Sequence, residues 1–492
     1  MKHARTYAKH AGAALYSLLL AIPLLLDSPL NFLTNFGEPG TDSSVFRTVA
    51  LYMDRGYMPY KDTFDHKGPL IYLYNWLGMQ ISYWRGIWII ELVSMAATLF
   101  LLYQIARKVS GPVLSALAAA AAGASLYALF SGGNFTEEYA MPFIAGGLLI
   151  FIDYFENRVI TRRRLFLCGF CFGAVCMLRV NMAGIWVVFC IAVLIRALKE
   201  KQTAAVIPGF LLWFLCGAGA VILPFVIWLA AGGALTAFFE CYINFNLLYS
   251  SVSEHAAAKD RLDAFYFILS YRSIALGFLL SLFSAFTKRD WTRIRYAIAF
   301  VLVFALTAMA GRPYRHYLLA IVPMLVFPYA ELFRGITSQK PGPLTVAAVY
   351  LAYLIFFMTW QSCLNAAVNV VSHSNEQTAW SEPTASVCSY VLDHTEEADR
   401  IAVLGNWDNI YTITGRLCAS RYSYLYPIAA IDGKVYEQYY ADLAETKPAL
   451  IILPETVKPD SQFRDFIKKY QYRKAASFGE IRIYSAQTAP RS

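Results

Sequence analysis

Residues 40–70, GTDSSVFRTVALYMDRGYMPYKDTFDHKGPL, set Asp42, Asp54, Asp62 and Asp65 beside His66 and Lys67, with Tyr60 and other aromatic rings between them. Carboxylates and cations at this density can move protons and hold anions. A second stretch, SGGNFTEEY at 131–139, adds Glu137 and Glu138. MLRVNMAG adds Arg179 with Asn181, and GRPYRHY adds Arg312, Arg315 and His316. Ionisable groups near the ends of apolar runs usually face protein or water-filled cavities and pair with one another. Two acidic stretches and several cations together suit an anionic headgroup and a hydroxyl acceptor. If a sugar is carried on a lipid phosphate, its breaking bond delivers negative charge to that phosphate. Arg answers this charge with a planar fork and Lys with a point charge, while a carboxylate across the sugar takes the proton of the attacking hydroxyl.

The elements that position these residues are set by composition. Hydrophobic residues make up 58% and charged residues 15% of 492, which predicts a polytopic α-helical membrane protein with runs near the roughly 20 residues a bilayer core needs. Eleven spans are expected, at 11–28, 85–106, 112–130, 138–156, 165–180, 182–198, 205–231, 264–286, 296–311, 316–335 and 343–362. Lys2, Arg5 and Lys9 lead the first run, which no convincing cleavage site follows, so it reads as a retained helix with a cytoplasmic N-terminus. Five later basic connections then fall inside: Arg107 and Lys108; Arg158 and Arg162 to Arg164; Arg196, Lys199 and Lys201; Lys288, Arg289, Arg293 and Arg295; Arg334 and Lys340. This accounts for the net charge of +9 as a topology signal in a plasma membrane protein surrounded by lipid, not as a nucleic-acid footprint. The apolar stretch 69–84 would reverse the later assignments if it spanned, and the charge pattern makes it an interfacial or re-entrant helix instead.

The expected organisation is a membrane domain, 1–371, whose first outward loop is 29–84, and an extracytoplasmic α/β domain, 372–492. In the latter, helix-like stretches (386–395, 437–446, 462–470) alternate with short apolar strands (400–404, 449–453, 481–484). Gly405 after the first strand is a lone glycine and no nucleotide fingerprint. Cys388 and Cys418 could pair outside the cell; six other cysteines lie in or beside apolar runs and read as buried free thiols.

The chain resembles the GT-C superfamily of polyprenyl-phosphate-sugar glycosyltransferases, in the branch holding protein O-mannosyltransferases and the aminoarabinose transferase of lipid A. The resemblance rests on Asp42 soon after the first span and on HKGPLIYLYNWLG at 66–78, which matches a Lys/His-Pro-Pro-Leu motif before the second span. It covers the first 200 residues well and the remaining membrane part loosely. Two departures stand out: Ser43 replaces the second acid of the family's pair, and Gly68 the first proline. The resemblance implies an odd number of spans, an outward C-terminal domain and a polyprenyl-phosphate sugar as donor, with a lipid, glycan or protein as acceptor. In that frame Asp42 is the catalytic base, with Glu137 or Glu138 as its partner or rival. Lys67, Arg179, Arg312, Arg315 and His316 are the phosphate contacts, and Tyr60, Asp65 and His66 complete the substrate site.

Each assignment has a plainer rival. Asp42 could cap the helix that starts at Ser43, and Asp54, twelve positions on, is expected on its solvated face. Glu137 and Glu138 could be solvated charges; Lys67 and Arg179 could anchor helix ends. Asp65 and His66 could merely order their loop. No cofactor is demanded, and a divalent cation, Mg²⁺ or Mn²⁺, stays open. A transporter or flippase of lipid-linked sugars is the alternative of another class, though the inverted repeats it would show are not apparent; a polymerase or ligase using a diphosphate-linked donor would need similar arginines.

Overall fold

The computed structural model describes residues 2–33, 37–157, 161–201, 203–252, 258–309, 313–337, 342–372 and 380–486. Its first six helices are α1 (Lys2–Leu24), α2 (Thr41–Asp54), α3 (Pro69–Ile81), α4 (Gly86–Ala106), α5 (Pro112–Phe130) and α6 (Thr136–Asn157). Among the described residues five helices are long and apolar enough to cross a membrane: α4, α5, α6, Ile207–Ala231 and Trp291–Ala308. There are seven if two bent pairs, Lys259–Ser270 with Arg272–Lys288 and Arg315–Met324 with Val326–Gly335, each count as one. The runs expected at 165–180 and 182–198 fold as helices of 15 and 16 residues, shorter than the roughly 20 residues a span requires. The stretch 69–84 yields α3, 13 residues long. At the usual rise this is about 20 Å, too short to cross.

The chain divides into two compact units. The first comprises Met1–Thr34, Trp88–Val226 and Glu254–Asn375. Its helices approach closely where glycines face a neighbour's backbone: a Cβ on Gly169 would stand 1.9 Å from the Phe214 carbonyl oxygen, so Arg162–Cys176 and Thr203–Ala231 touch main chain to main chain. The basic connections do more than signal topology. Buried Asp153 is held by both Lys108 and Arg164, and buried Glu331 by Lys288 and Arg293. Because Lys108 and Arg164 share one acid, two of the five basic connections lie at the same end of this unit.

The second unit comprises Asn35–Ile87, Ile227–Ser253 and Glu376–Ser492. Its sheet has the order β2-β1-β3-β5-β4, from β1 (Arg400–Val403), β2 (Leu417–Cys418), β3 (Leu450–Leu453), β4 (Tyr472–Phe478) and β5 (Ile481–Ala486). β1 runs parallel to β2 and β3, with Ile401 against Leu450, and β5 is antiparallel to both β3 and β4. The strands expected at 400–404, 449–453 and 481–484 are β1, β3 and β5. Buried on both faces, the parallel strands read as apolar runs, whereas β4 is a polar edge.

The sequence reading set the C-terminal stretch apart at 372, but its core is completed by the first loop. Ala50, Leu51 and Tyr52 of α2 and Met79 of α3 pack in one cluster with Val387, Ile401, Val403, Tyr411, Leu450 and Ile483. Ser43 to Tyr52 are all buried, and a helix buried all round needs protein on every side. Arg47 is among them. Its guanidinium donates to the carbonyls of Tyr83 (2.8 Å) and Trp84 (3.4 Å), and burial brings it down to about 10.

Candidate active site

In the second unit, Asp65 is the centre of a hydrogen-bonded set. It is 2% exposed. Tyr424 donates to its Oδ1 and Tyr72 to its Oδ2, both at 2.9 Å, and the His66 N–H reaches Oδ1 at 2.7 Å. Three donors on one carboxylate leave little capacity for a substrate proton. Tyr60 is held in the left-handed region (φ 68°) and donates to the Lys67 carbonyl at 2.8 Å, closing the loop on itself. Asn246 fixes the next residue: its Nδ2 donates to the carbonyls of His66 (2.7 Å) and Tyr242 (2.8 Å), which turns its Oδ1 toward His66 Nδ1 at 2.9 Å. Facing an acceptor, Nδ1 carries the ring hydrogen, and Nε2 accepts from the Lys67 ammonium at 3.1 Å.

Asp42 lies in the first turn of α2, half-buried. The capping reading is corrected here: the helix starts at Thr41 and its N-cap is Gly40, so Asp42 lies past the cap position, in the first turn. Asp54 is exposed, as expected, and accepts from Gln80. A third acid, Asp408, joins the group from the turn after β1. Burial holds the Tyr424 hydroxyl well above its ordinary value, and the charges of Asp65, Asp408 and Asp42 all push the same way.

In the first unit, Glu137 and Glu138 open α6 but face different ways. Glu137, 3% exposed, accepts from Arg179 and from the Thr136 hydroxyl at 2.9 Å. Arg179 also lies over the Tyr317 ring, 4.2 Å from its centre. Both line a cleft with Asn181, Thr307 and the apolar Met182, Val303 and Leu306. His316 stacks flat on Phe135 at 4.3 Å. Arg315 is exposed, and Arg312 lies outside the described residues, as do Arg158 and Lys340. Glu138, fully buried, turns back to accept the Asn134 N–H at 2.9 Å. It pins four successive residues in the left-handed region, Ser131, Gly132, Gly133 and Asn134. There a Cβ on Gly133 would fall 2.3 Å from Glu91 Oε1, so glycine is required.

The structure thus gathers Asp42, Tyr60, Asp65, His66 and Lys67 in one unit and Glu137, Arg179 and His316 in the other. Sequence reasoning missed Tyr72, Asn246, Asp408 and Tyr424, and also Glu91. As the one acid in the run 85–106, Glu91 carried a readable signal. Cys388 and Cys418 are both buried free thiols, not a pair; Cys418 Sγ instead receives the Tyr411 hydroxyl at 3.2 Å. Among the described residues no three His, Cys, Asp or Glu side chains are grouped to hold a metal ion.

A family model described as putative competence-induced protein Ccs4, N-terminal domain, matches residues 4–340. The chain belongs to this family. No curated protein matches it. Its fold is similar to that of ArnT from Cupriavidus metallidurans bound to undecaprenyl phosphate, with a TM-score of 0.62 and 10% identity over 97% of this chain and 98% of that one. The apo form of ArnT gives 0.61 at 11% identity with the same coverage. The oligosaccharyltransferase AglB from Archaeoglobus fulgidus, in complex with an inhibitory peptide and a dolichol-phosphate, gives 0.49 at 12% identity over 92% of this chain and 70% of that one. The likeness to ArnT extends over 97% of the chain and shows a shared fold, a helical membrane part with a small C-terminal sheet domain, as the sequence led one to expect.

Proposed function

We propose that this protein is a membrane glycosyltransferase that takes a sugar from a polyprenyl-phosphate donor and passes it to a hydroxyl acceptor outside the plasma membrane. The observation that carries the reading is the cleft at Arg179. A guanidinium 20% exposed and stacked on Tyr317 opens on apolar walls, which matches a ligand with a phosphate head and a hydrocarbon tail. The bound undecaprenyl phosphate of the ArnT structure is a ligand of that kind.

The reaction is a single displacement with inversion. The acceptor oxygen bonds to the anomeric carbon as the bond from that carbon to the phosphate oxygen breaks. The electron pair leaves on the lipid phosphate, where a cation stabilises it. The acceptor proton goes to a carboxylate. Asp42 is the base, because Asp65 is filled by three donors and Asp408 is sealed from solvent, whereas Asp42 keeps access. Lys67 and His316 are secondary cationic or hydrogen-bonding contacts in their own units. The N-terminus is cytoplasmic and the 372–492 stretch faces outward. Purified protein added to a membrane lipid extract carrying radiolabelled sugars should release free undecaprenyl phosphate, and Asp42→Asn should not. Equal release by both would remove Asp42 from the chemistry.

A further inference from the structure

Three helices of the first unit meet around a slot that the proposed reaction does not use. α6 and the helix Gly184–Lys199 line it with apolar side chains alone, among them Leu148, Phe155 and Phe189. The helix Trp291–Ala308 adds Thr292 and Arg295, three positions apart and so on one face. The slot therefore has a polar end and an apolar depth. Thr292 and Arg295 lie near the start of their helix and Phe155 near the end of α6, beside the basic connections. Leu148, seven residues back along α6, lies about 10 Å deeper. Glu137, at the other end of α6, is 18 residues from Phe155, about 27 Å along the helix, which separates this slot from the Arg179 cleft.

Several cations around this end are matched to acids. Asp153 takes Lys108 and Arg164, Glu331 takes Lys288 and Arg293, and Glu200 takes Arg196. Arg295 and Lys199 are not: among the described residues neither makes a salt bridge. Arg295 lies instead against two rings, 4.5 Å from the centre of Phe155 and 5.8 Å from that of Trp291. Lys199 lies over the same Trp291 ring, also at 5.8 Å. Two unmatched cations thus share one indole, and Arg196, over Tyr154 at 5.1 Å, acts on Arg295 as a further like charge. The acid that acts on Arg295 is Asp290, and Arg293 already holds it at 2.8 Å. Ring faces attract a cation but do not neutralise it, so the polar end of the slot is short of negative charge.

We propose that this slot binds one anionic phospholipid, its phosphodiester on Arg295 and Lys199 and one acyl chain running down the apolar walls toward Leu148. A planar guanidinium fork fits two phosphate oxygens, and the rings on Arg295 hold that fork in place. Basic pockets between membrane helices suit lipid headgroups for this reason. Net negative charge matters because a zwitterionic headgroup already carries a cation for its own phosphate. The surroundings favour a lipid over a soluble anion. Val187, Ile191 and Ile298, beside the slot on its two later helices, are each 52% exposed, as side chains facing hydrocarbon are. Trp291, 64% exposed, stands at the polar end, where indoles mark the headgroup level. A lipid seated there touches three helices at once and binds only the folded protein, so it stabilises the first unit. The site stands whether or not the chain transfers sugar.

The test uses the full chain, stripped of lipid in neutral detergent and titrated with phosphatidylglycerol or with phosphatidylcholine of the same acyl chains. Native mass spectrometry should show one phosphatidylglycerol retained in preference to phosphatidylcholine, and phosphatidylglycerol should raise the melting temperature more. Arg295→Gln should weaken its retention by about 10-fold, the lower end for a charge-assisted contact because Arg295 is partly exposed. Arg295→Lys, which keeps the charge and loses the fork, should fall between. Arg163→Gln removes an exposed cation outside the slot and should change nothing. Millimolar inorganic phosphate should not displace the lipid. Equal retention of the two lipids, native retention in Arg295→Gln, or an equal loss in Arg163→Gln would each overturn the proposal, as would displacement by inorganic phosphate. If Arg295→Gln does not fold, native retention in Arg295→Lys overturns it instead. None of these readouts depends on sugar transfer, so this site and the glycosyltransferase reading can fail separately.

Discussion

Arg179→Gln isolates the proposed phosphate contact. In the structure Arg179 is engaged by Glu137, whose side chain is 4% exposed, and by the face of Tyr317. An incoming phosphate must share or take over the guanidinium now facing Glu137. Removing the cation deletes one charge-assisted contact worth about 1.5–3 kcal/mol. That weakens binding of a polyprenyl phosphate by about 10- to 150-fold. The substitution also strands a buried carboxylate, which can cost about 3–5 kcal/mol of stability when a buried pair is broken; the partial exposure of Arg179 reduces this figure. Glu137→Gln separates the two effects: it relieves the competition, so lipid phosphate should bind at least as tightly as before. The double variant should recover the fold and not the binding. A fluorescent short-chain polyprenyl phosphate titrated into detergent-solubilised protein reads all three. Native affinity in Arg179→Gln, or an equal loss in Glu137→Gln, would refute the assignment.

Asp42→Asn should lower transfer by about 10² to 10⁴, the range for losing a general base, while the protein stays folded, since the amide keeps the side chain's shape and Asp42 is not the N-cap of α2. Asp54→Asn should be silent in the same assay. Asp65→Ala strands the Tyr424 hydroxyl and the His66 N–H, at about 1–3 kcal/mol for each buried donor; a clear drop in melting temperature is the outcome to look for. A reporter fused after residue 400 should be extracytoplasmic and one within 161–164 cytoplasmic. The reverse result would invert every outward assignment.

The membrane helices were legible because hydrocarbon runs are a composition signal: the described parts of the eleven expected runs are built of helix, and among the described residues five to seven helices pass as spans. Strands β1, β3 and β5 were legible as short apolar runs. β2 has two residues and no pattern to read, and β4, YRKAASF, is a polar edge strand that lacks alternation. Asp42, Asp65, His66 and Lys67 stood out because charge is rare in this chain. Their partners did not. Tyr424 lies 359 residues from Asp65, and Asn246 lies 180 from His66, and no local spacing encodes such contacts. Asp408 sits just beyond the carboxyl end of a parallel strand, where open α/β sheets commonly place ligands, but the sequence did not reveal that β1 would be parallel to its neighbours. The capping role weighed for Asp42 failed by two residues, because the helix begins at Thr41.

The most direct test is native mass spectrometry of the full chain and of Asp42→Asn, purified under conditions that retain lipid. The unmutated protein should carry the mass of a polyprenyl monophosphate, and Asp42→Asn that mass plus one sugar, the donor it can bind and cannot spend. A diphosphate-linked mass would contradict the proposed donor, and the absence of any polyprenyl lipid from both proteins would contradict the account itself.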